Sequence, residues 1–190
     1  MAYAPKIAAC CLIPTTYPHL TEGNKTEFRN IFKSLALEEA SPLLRRAVSE
    51  NIEEFAKVVD KKIIRADFYE IWNSLINDTF DIIKIKAMEC AAVIARAFKK
   101  EEVTEKMFKQ IKFVDSGKKS WRVRYSLVEC FVSIAPYLEK DIIRKDVVES
   151  FEELLKDQEA EVRAISVIKL PEITGRLSSQ QAWNIFFQYI

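Results

Sequence analysis

Four basic residues, Arg45, Lys84, Arg124 and Arg163, recur at separations of 39, 40 and 39 residues. A recurrence of that length constrains the fold more than any other feature. It marks a chain built by stacking one small unit of secondary structure on the next. The residue before each anchor is branched and aliphatic: Leu44, Ile83, Val123 and Val162. Seven positions after the anchors lie Ile52, Ala91, Phe131 and Leu170, and ten positions after lie Phe55, Ile94, Ile134 and Ile173. Offsets of −1, +7 and +10 share one face at 3.6 residues per turn. Each anchor therefore sits in the first turns of an amphipathic helix, helix B, expected to run roughly 16–19 residues.

A second apolar stripe precedes each anchor. It comprises Phe28, Ile31, Phe32 and Leu35, then Phe68, Ile71, Trp72 and Leu75. Met107, Phe108, Ile111 and Val114 follow, then Val147, Phe151, Leu154 and Leu155. These positions also keep helical spacing and define a helix A, joined to helix B by a short polar turn. Glu39, Asp78 and Asp157 each lie six residues before an anchor. An acid there is expected as an N-cap or first-turn residue, favoured by free backbone N–H groups and the helix dipole. Pro42 falls where its missing N–H does no harm. The third turn, Asp115 to Ser120, is basic at its end.

Only 3 Gly and 6 Pro occur in 190 residues. That scarcity disfavours turn-rich β folds and glycine-loop nucleotide folds and points to an all-α chain. A lone helix pair cannot bury both stripes, so at least about three units must stack. Positions 1–190 are expected to form one array with full repeats at 24–60, 62–99, 103–138 and 143–176. Ala8 to Leu12 reads as the end of a preceding helix B. Ser178 to Ile190, with Trp183, Phe186 and Phe187, reads as a following helix A. Neither end has a polar outer face, and the expectation is a piece of a longer array.

Basic and acidic residues nearly cancel, 29 against 28. No global charge draws the chain to nucleic acid or to an anionic membrane, and neither is expected as a partner. The early apolar run Ile7 to Ile13 is too short to span a bilayer. Cys10, Cys11, Cys90 and Cys130 lack metal-ligand spacing, and one histidine, His19, adds little; small buried thiols and no metal site are expected. No phosphate loop or nucleophile motif is present, so neither a cofactor nor catalytic residues are expected, and the chain is read as a binding scaffold and not an enzyme. The aromatic stripe Phe28, Phe32, Phe68, Trp72, Phe108 and Phe151 reads as core.

The anchors Arg45, Lys84, Arg124 and Arg163 read as a ladder between repeats, each cation pairing with an acid of the neighbouring turn. Arginine suits this role because its planar fork binds a carboxylate through two bonds; Lys84 should make a weaker rung. Arg46 and Arg122 flank the anchors and point elsewhere.

Several stretches carry a resemblance to a known family. Ser41-Pro42-Leu43-Leu44-Arg45-Arg46-Ala47 and Glu54-Phe55-Ala56-Lys57-Val58 resemble a middle repeat of the protein phosphatase 2A scaffold (A) subunits. Lys119-Ser120-Trp121-Arg122-Val123-Arg124-Tyr125 is similar to a stretch characteristic of that family. Leu155-Lys156-Asp157 and Glu159-Ala160-Glu161-Val162-Arg163-Ala164 match its next repeat in order and spacing. The resemblance implies a HEAT-repeat α-solenoid, a right-handed superhelix of antiparallel helix pairs, and a central segment of it. It implies a ridge of intra-repeat turns on which regulatory (B-type) subunits dock, with the catalytic subunit held by repeats absent from this segment. Carried over, the ridge comprises Glu39, Ser41, Pro42, Leu43 and Arg46, then Asp78 and Phe80. It continues through Ser120, Trp121 and Arg122 to Asp157, Glu159 and Glu161. A cytoplasmic location, with the nucleus as a second, is the corresponding expectation. The sequence departs from the family in the second turn, where Ile83-Lys84 replaces Val-Arg, and in the basic Gly117-Lys118-Lys119.

Two other readings stand beside this one. A HEAT or armadillo adaptor for another protein or an extended peptide would use a recurring Asn and Trp ladder, whereas Trp72, Trp121 and Trp183 occupy different repeat positions. A helical-repeat enzyme acting on nucleic acid would need a basic inner face and a catalytic acid, against the balanced charge.

Overall fold

A computed structural model of the chain describes residues 3–37, 41–114, 120–178 and 180. Every regular element among them is helical. The chain divides into two compact units, Met1–Phe98 and Lys99–Ile190. The first holds α1 (Ala4–Thr16), α2 (Glu22–Leu37), α3 (Pro42–Lys57), α4 (61–76) and α5 (81–95). The second holds α6 (100–112), α7 (Trp121–Ile134), α8 (140–155) and α9 (Ala160–Thr174). The architecture is an all-α helical repeat. Helices α2, α4, α6 and α8 are the A helices; α3, α5, α7 and α9 are the B helices that carry the basic anchors.

In the first unit α1 lies along α3, α3 along α5, and α2 and α4 each against the B helix that follows. In the second unit α7 lies along α9, and α8 packs on α9. The residues that revealed the repeat face these contacts. Leu44, Ile83, Val123 and Val162 are buried, as are Phe55, Ile94, Ile134 and Ile173. Of the positions seven after the anchors, Ile52, Ala91 and Phe131 are buried and Leu170 is half-buried.

The first unit is closed by aromatic rings. Phe55 stands edge-on to Tyr17, Phe32 and Phe68, with centroids 4.9, 5.0 and 5.0 Å away. Edge-to-face contacts at this range add to the burial of each ring. Trp72 is fully buried, and its indole N–H donates to the Ala87 carbonyl at 2.9 Å. The same carbonyl accepts from the Cys90 thiol at 3.3 Å, beside the interruption of α5 at Cys90. The second unit is packed with smaller groups. Ile111, Ile134 and Val147 stand two repeats on from Phe32, Phe55 and Phe68. Its rings, Phe108, Phe131 and Phe151, are spaced more widely, at 5.9 and 6.5 Å.

Helix details depart from the sequence reading. Three A helices open into a wide π turn at equivalent places, Ile64–Phe68, Thr104–Phe108 and Ile143–Val147. Apolar pairs four apart, such as Ile64 and Phe68, stay buried across the wide turn, so residue spacing does not reveal it. Ile31, placed on the buried stripe by its spacing, is 42% exposed, and Phe28 is half-buried. Cys10, Cys90 and Cys130 are buried, whereas Cys11 is exposed. The reading of 178–190 as an unpaired A helix, with Trp183, Phe186 and Phe187, falls mostly outside the described residues, as do Glu39 and the turn at 115–119.

Two outcomes follow. Phe55→Ala should destabilise the first unit by about 3–5 kcal/mol, because its three ring neighbours cannot collapse onto the gap; denaturant unfolding measures this. Burial, with Cys11 adding its charge, pushes the Cys10 thiol up to about 11, and burial pushes Cys130 up to about 12. A thiol reagent near neutral pH should therefore modify Cys11 in the native protein and the other three only after unfolding.

Candidate functional site

The turns between helices A and B place most of the singled-out residues at one edge of each repeat. In the first unit Ser41 is the N-cap of α3, and its hydroxyl accepts from the Leu43 N–H at 3.3 Å. Pro42 opens the helix. Leu44 turns inward, which leaves its neighbour Leu43 on the outer side, 55% exposed. Arg46 is also exposed and donates to Glu50, one turn on, at 2.8 Å.

Arg45 points along the stack instead. Its Nε donates to Asp78 Oδ2 at 2.6 Å and its Nη2 to Oδ1 at 3.3 Å, a two-point bond from the first helix B to the second turn. The sequence pattern alone offers Asp78 as a first-turn acid or the N-cap of the following helix. In the structure Phe80 holds that position, and Asp78 accepts the Phe80 N–H at 3.0 Å, two residues on in its own turn. Burial alone would raise the Asp78 carboxyl. The bonds from Arg45 and the Phe80 N–H outweigh it and hold the group below its ordinary value. The turn thus fixed leaves Phe80 47% exposed, with the Arg45 guanidinium 6.0 Å from its ring centre. Ile82 beside it is 42% exposed.

The second unit repeats the arrangement. Arg124 Nε donates to Asp157 Oδ2 at 2.6 Å and Nη2 to Oδ1 at 3.0 Å. Asp157 Oδ1 accepts the Glu159 N–H at 2.9 Å. Ser120 is the N-cap of α7 but makes no side-chain cap bond. Trp121 is half-buried, and the exposed Arg122 lays its guanidinium over the indole, 4.6 Å from the ring centre, as a cation on a π face. Glu159 is half-buried and Glu161 exposed.

Not every assigned residue is presented to solvent. The Asp78 and Asp157 side chains are only 4% and 8% exposed, because each is taken up by an arginine and by its own turn. Their carboxylates hold the turns and leave little surface to solvent. Arg163 makes no rung among the described residues: it donates to the carbonyls of Asp157 and Gln158 at 2.7 and 3.0 Å, in its own turn. Lys84 is half-buried and has no side-chain bond among the described residues. Glu39 lies outside them.

Phe113, the most exposed aromatic among the described residues at 65%, is not among the residues the sequence singles out. A signal for it exists: it falls two residues after Ile111, off the apolar stripe of helix A. Among the described residues no three His, Cys, Asp or Glu cluster to hold a metal, and no helix is long and apolar enough to cross a membrane. What these edges offer is contact chemistry: apolar and aromatic groups held on a rigid turn, with cations beside them.

No family model matches the sequence. Three curated proteins are similar to it. One is the A-type regulatory subunit of protein phosphatase PP2A from Schizosaccharomyces pombe, 28% identical over 124 residues, which cover 64% of this chain and 20% of that protein. A probable serine/threonine-protein phosphatase PP2A regulatory subunit of Caenorhabditis elegans is 28% identical over 89 residues, 47% of this chain and 15% of that protein. The serine/threonine-protein phosphatase PP2A 65 kDa regulatory subunit of Drosophila melanogaster is 36% identical over 62 residues, 33% of this chain and 10% of that protein. The aligned stretches span a fifth or less of these relatives. The likeness of this chain to a segment of the A-type PP2A regulatory subunits is therefore shown by three proteins.

The Arg45–Asp78 pair carries a pH signature. A depressed carboxyl contributes stability that is full above its unfolded value of about 4 and is lost as pH falls through the lower folded value. Unfolding midpoints taken across the acid range, from near neutrality to below the folded value, should fall, and fall less steeply in Asp78→Asn. That variant should be less stable near neutral pH by about 1–3 kcal/mol.

Proposed function

We propose that this chain is a non-catalytic scaffold segment of a protein phosphatase 2A-type assembly, and that its turn edge docks a regulatory subunit of the B type. The observation that carries the reading is the recurring exposure of apolar and aromatic groups at the turns: Leu43, Phe80 and Ile82 in one unit and Phe113 in the other, where the half-buried Trp121 lies under Arg122. Rigid aromatic groups with adjacent arginines are the side chains that dominate binding at protein interfaces. Arg46 and Arg122 supply those cations. The similarity to A-type PP2A regulatory subunits supports the choice of partner. A catalytic subunit would be bound, on this reading, by repeats beyond the 190 residues. The cytoplasm, with the nucleus as a second location, is the matching place of action.

Surface plasmon resonance with a purified B-type regulatory subunit tests the reading. Phe80→Asp and Trp121→Ala should each weaken binding about tenfold or more. Arg46→Glu should chiefly slow association. Unchanged affinity in all three variants, with helical circular dichroism intact, would sink the proposal.

A further inference from the structure

The second unit holds a cleft of about 340 Å³ bounded by α6, α7 and α8. Its size falls within the usual range for ligand sites, about 300–1,000 Å³. Leu127, Phe131 and Leu154 wall it, and Phe113 lies at it with two-thirds of its surface in solvent. The cleft has a compositional origin. Two repeats earlier, the positions of Ser150 and Phe131 hold Ile71 and Ile52, and the nearby core holds phenylalanines where the second unit has Ile111, Ile134 and Val147. Ser150 is too small to fill the space Ile71 fills, and its hydroxyl donates back to the Asp146 carbonyl at 2.9 Å. No polar demand from Ser150 is therefore aimed into the cleft.

Among the described residues around it, carboxylates outnumber cations. Arg124 and Asp157, which also line it, neutralise each other through their two-point bond. Lys112 is shared between Asp146 at 3.3 Å and Glu149 at 3.2 Å. Glu149 keeps 64% of its side chain in solvent, and Glu153 is exposed on the same rim. An anionic occupant would meet these carboxylates, and a purely apolar one would make no use of them.

We propose that this cleft seats a large apolar side chain of a polypeptide partner, with a lysine or arginine next to it that pairs with Glu149 and Glu153. The inference rests on the docking reading above for the polypeptide nature of the partner, and adds the chemistry of the segment recognised. Covering the exposed Phe113 ring and seating the side chain in the cleft supplies affinity through burial, and the acidic rim selects against acidic sequences.

Fluorescence polarisation with the full chain tests it. The probe is a labelled, blocked pentapeptide with phenylalanine beside arginine; its competitor has glutamate in place of arginine. The arginine peptide should bind. Ser150→Ile, which fills the space as Ile71 does in the first unit, should weaken it about tenfold. Glu153→Lys, at an exposed site that leaves the core intact, should do the same. The glutamate peptide should not compete. Absence of binding by the arginine peptide, equal competition by the glutamate peptide, or indifference to both variants overturns the proposal. Phe80→Asp separates the two readings. If it leaves both peptide and regulatory-subunit binding intact, as do Trp121→Ala and Arg46→Glu, while Ser150→Ile weakens the peptide, the cleft stands and the wider docking edge falls. If it weakens subunit binding and the peptide ignores Ser150→Ile, the reverse holds.

Discussion

A pair of antiparallel helices of this length carries more apolar surface than the pair can cover, so each repeat is stable only against a neighbour. Everything else in either unit follows from that requirement. The B helices must lie side by side, which brings α3 against α5 and α7 against α9. Helix contact alone would permit sliding. The bond from Arg45 to Asp78, and its counterpart from Arg124 to Asp157, fixes the register by tying the first turn of one B helix to the turn that precedes the next. Because the same carboxylates accept N–H groups of their own turns, register and turn shape are set by one group.

That arrangement decides what the outer edge can present. With the Asp78 and Asp157 carboxylates largely withdrawn into ion pairs, Leu43 and Phe80 stand exposed at the edge, and Trp121 is half-buried there. The two units use the same backbone plan with different fillings. Three rings close the first around Phe55. The second has aliphatic residues at the corresponding places and a serine where an isoleucine would pack, and it keeps a cleft. Repetition of a scaffold with local variation in filling lets each repeat present a different surface.

Much of this is legible in the residues. The burial of Leu44, Ile83, Val123 and Val162 follows from one helical period counted from the anchors, and the Arg–Asp reach follows from a 33-residue separation with the right chemistry at both ends. The role of the Asp is not legible: an acid before a helix can cap the helix or fold back on its own turn, and only the Phe80 and Glu159 N–H positions distinguish them. The π turns stay hidden because buried pairs four residues apart survive them. Ile31 is misplaced by the pattern because a four-residue stripe is wider than the contact it faces. The cleft is hidden for a different reason. It depends on what Ser150 lacks relative to Ile71, and although the repeat register shows that difference, whether neighbours fill the space is set by their packing.

The central claim is that the turn edge, and not the outward face of the A helices, receives a regulatory subunit. Hydrogen exchange of the chain, followed by mass spectrometry with and without a bound B-type partner, tests it directly. The account predicts slowed exchange at 41–46, 78–83 and 120–124, the first turns of the B helices and the turn before α5. Slowing confined to 61–76 and 140–155, with those turns unchanged, would contradict it.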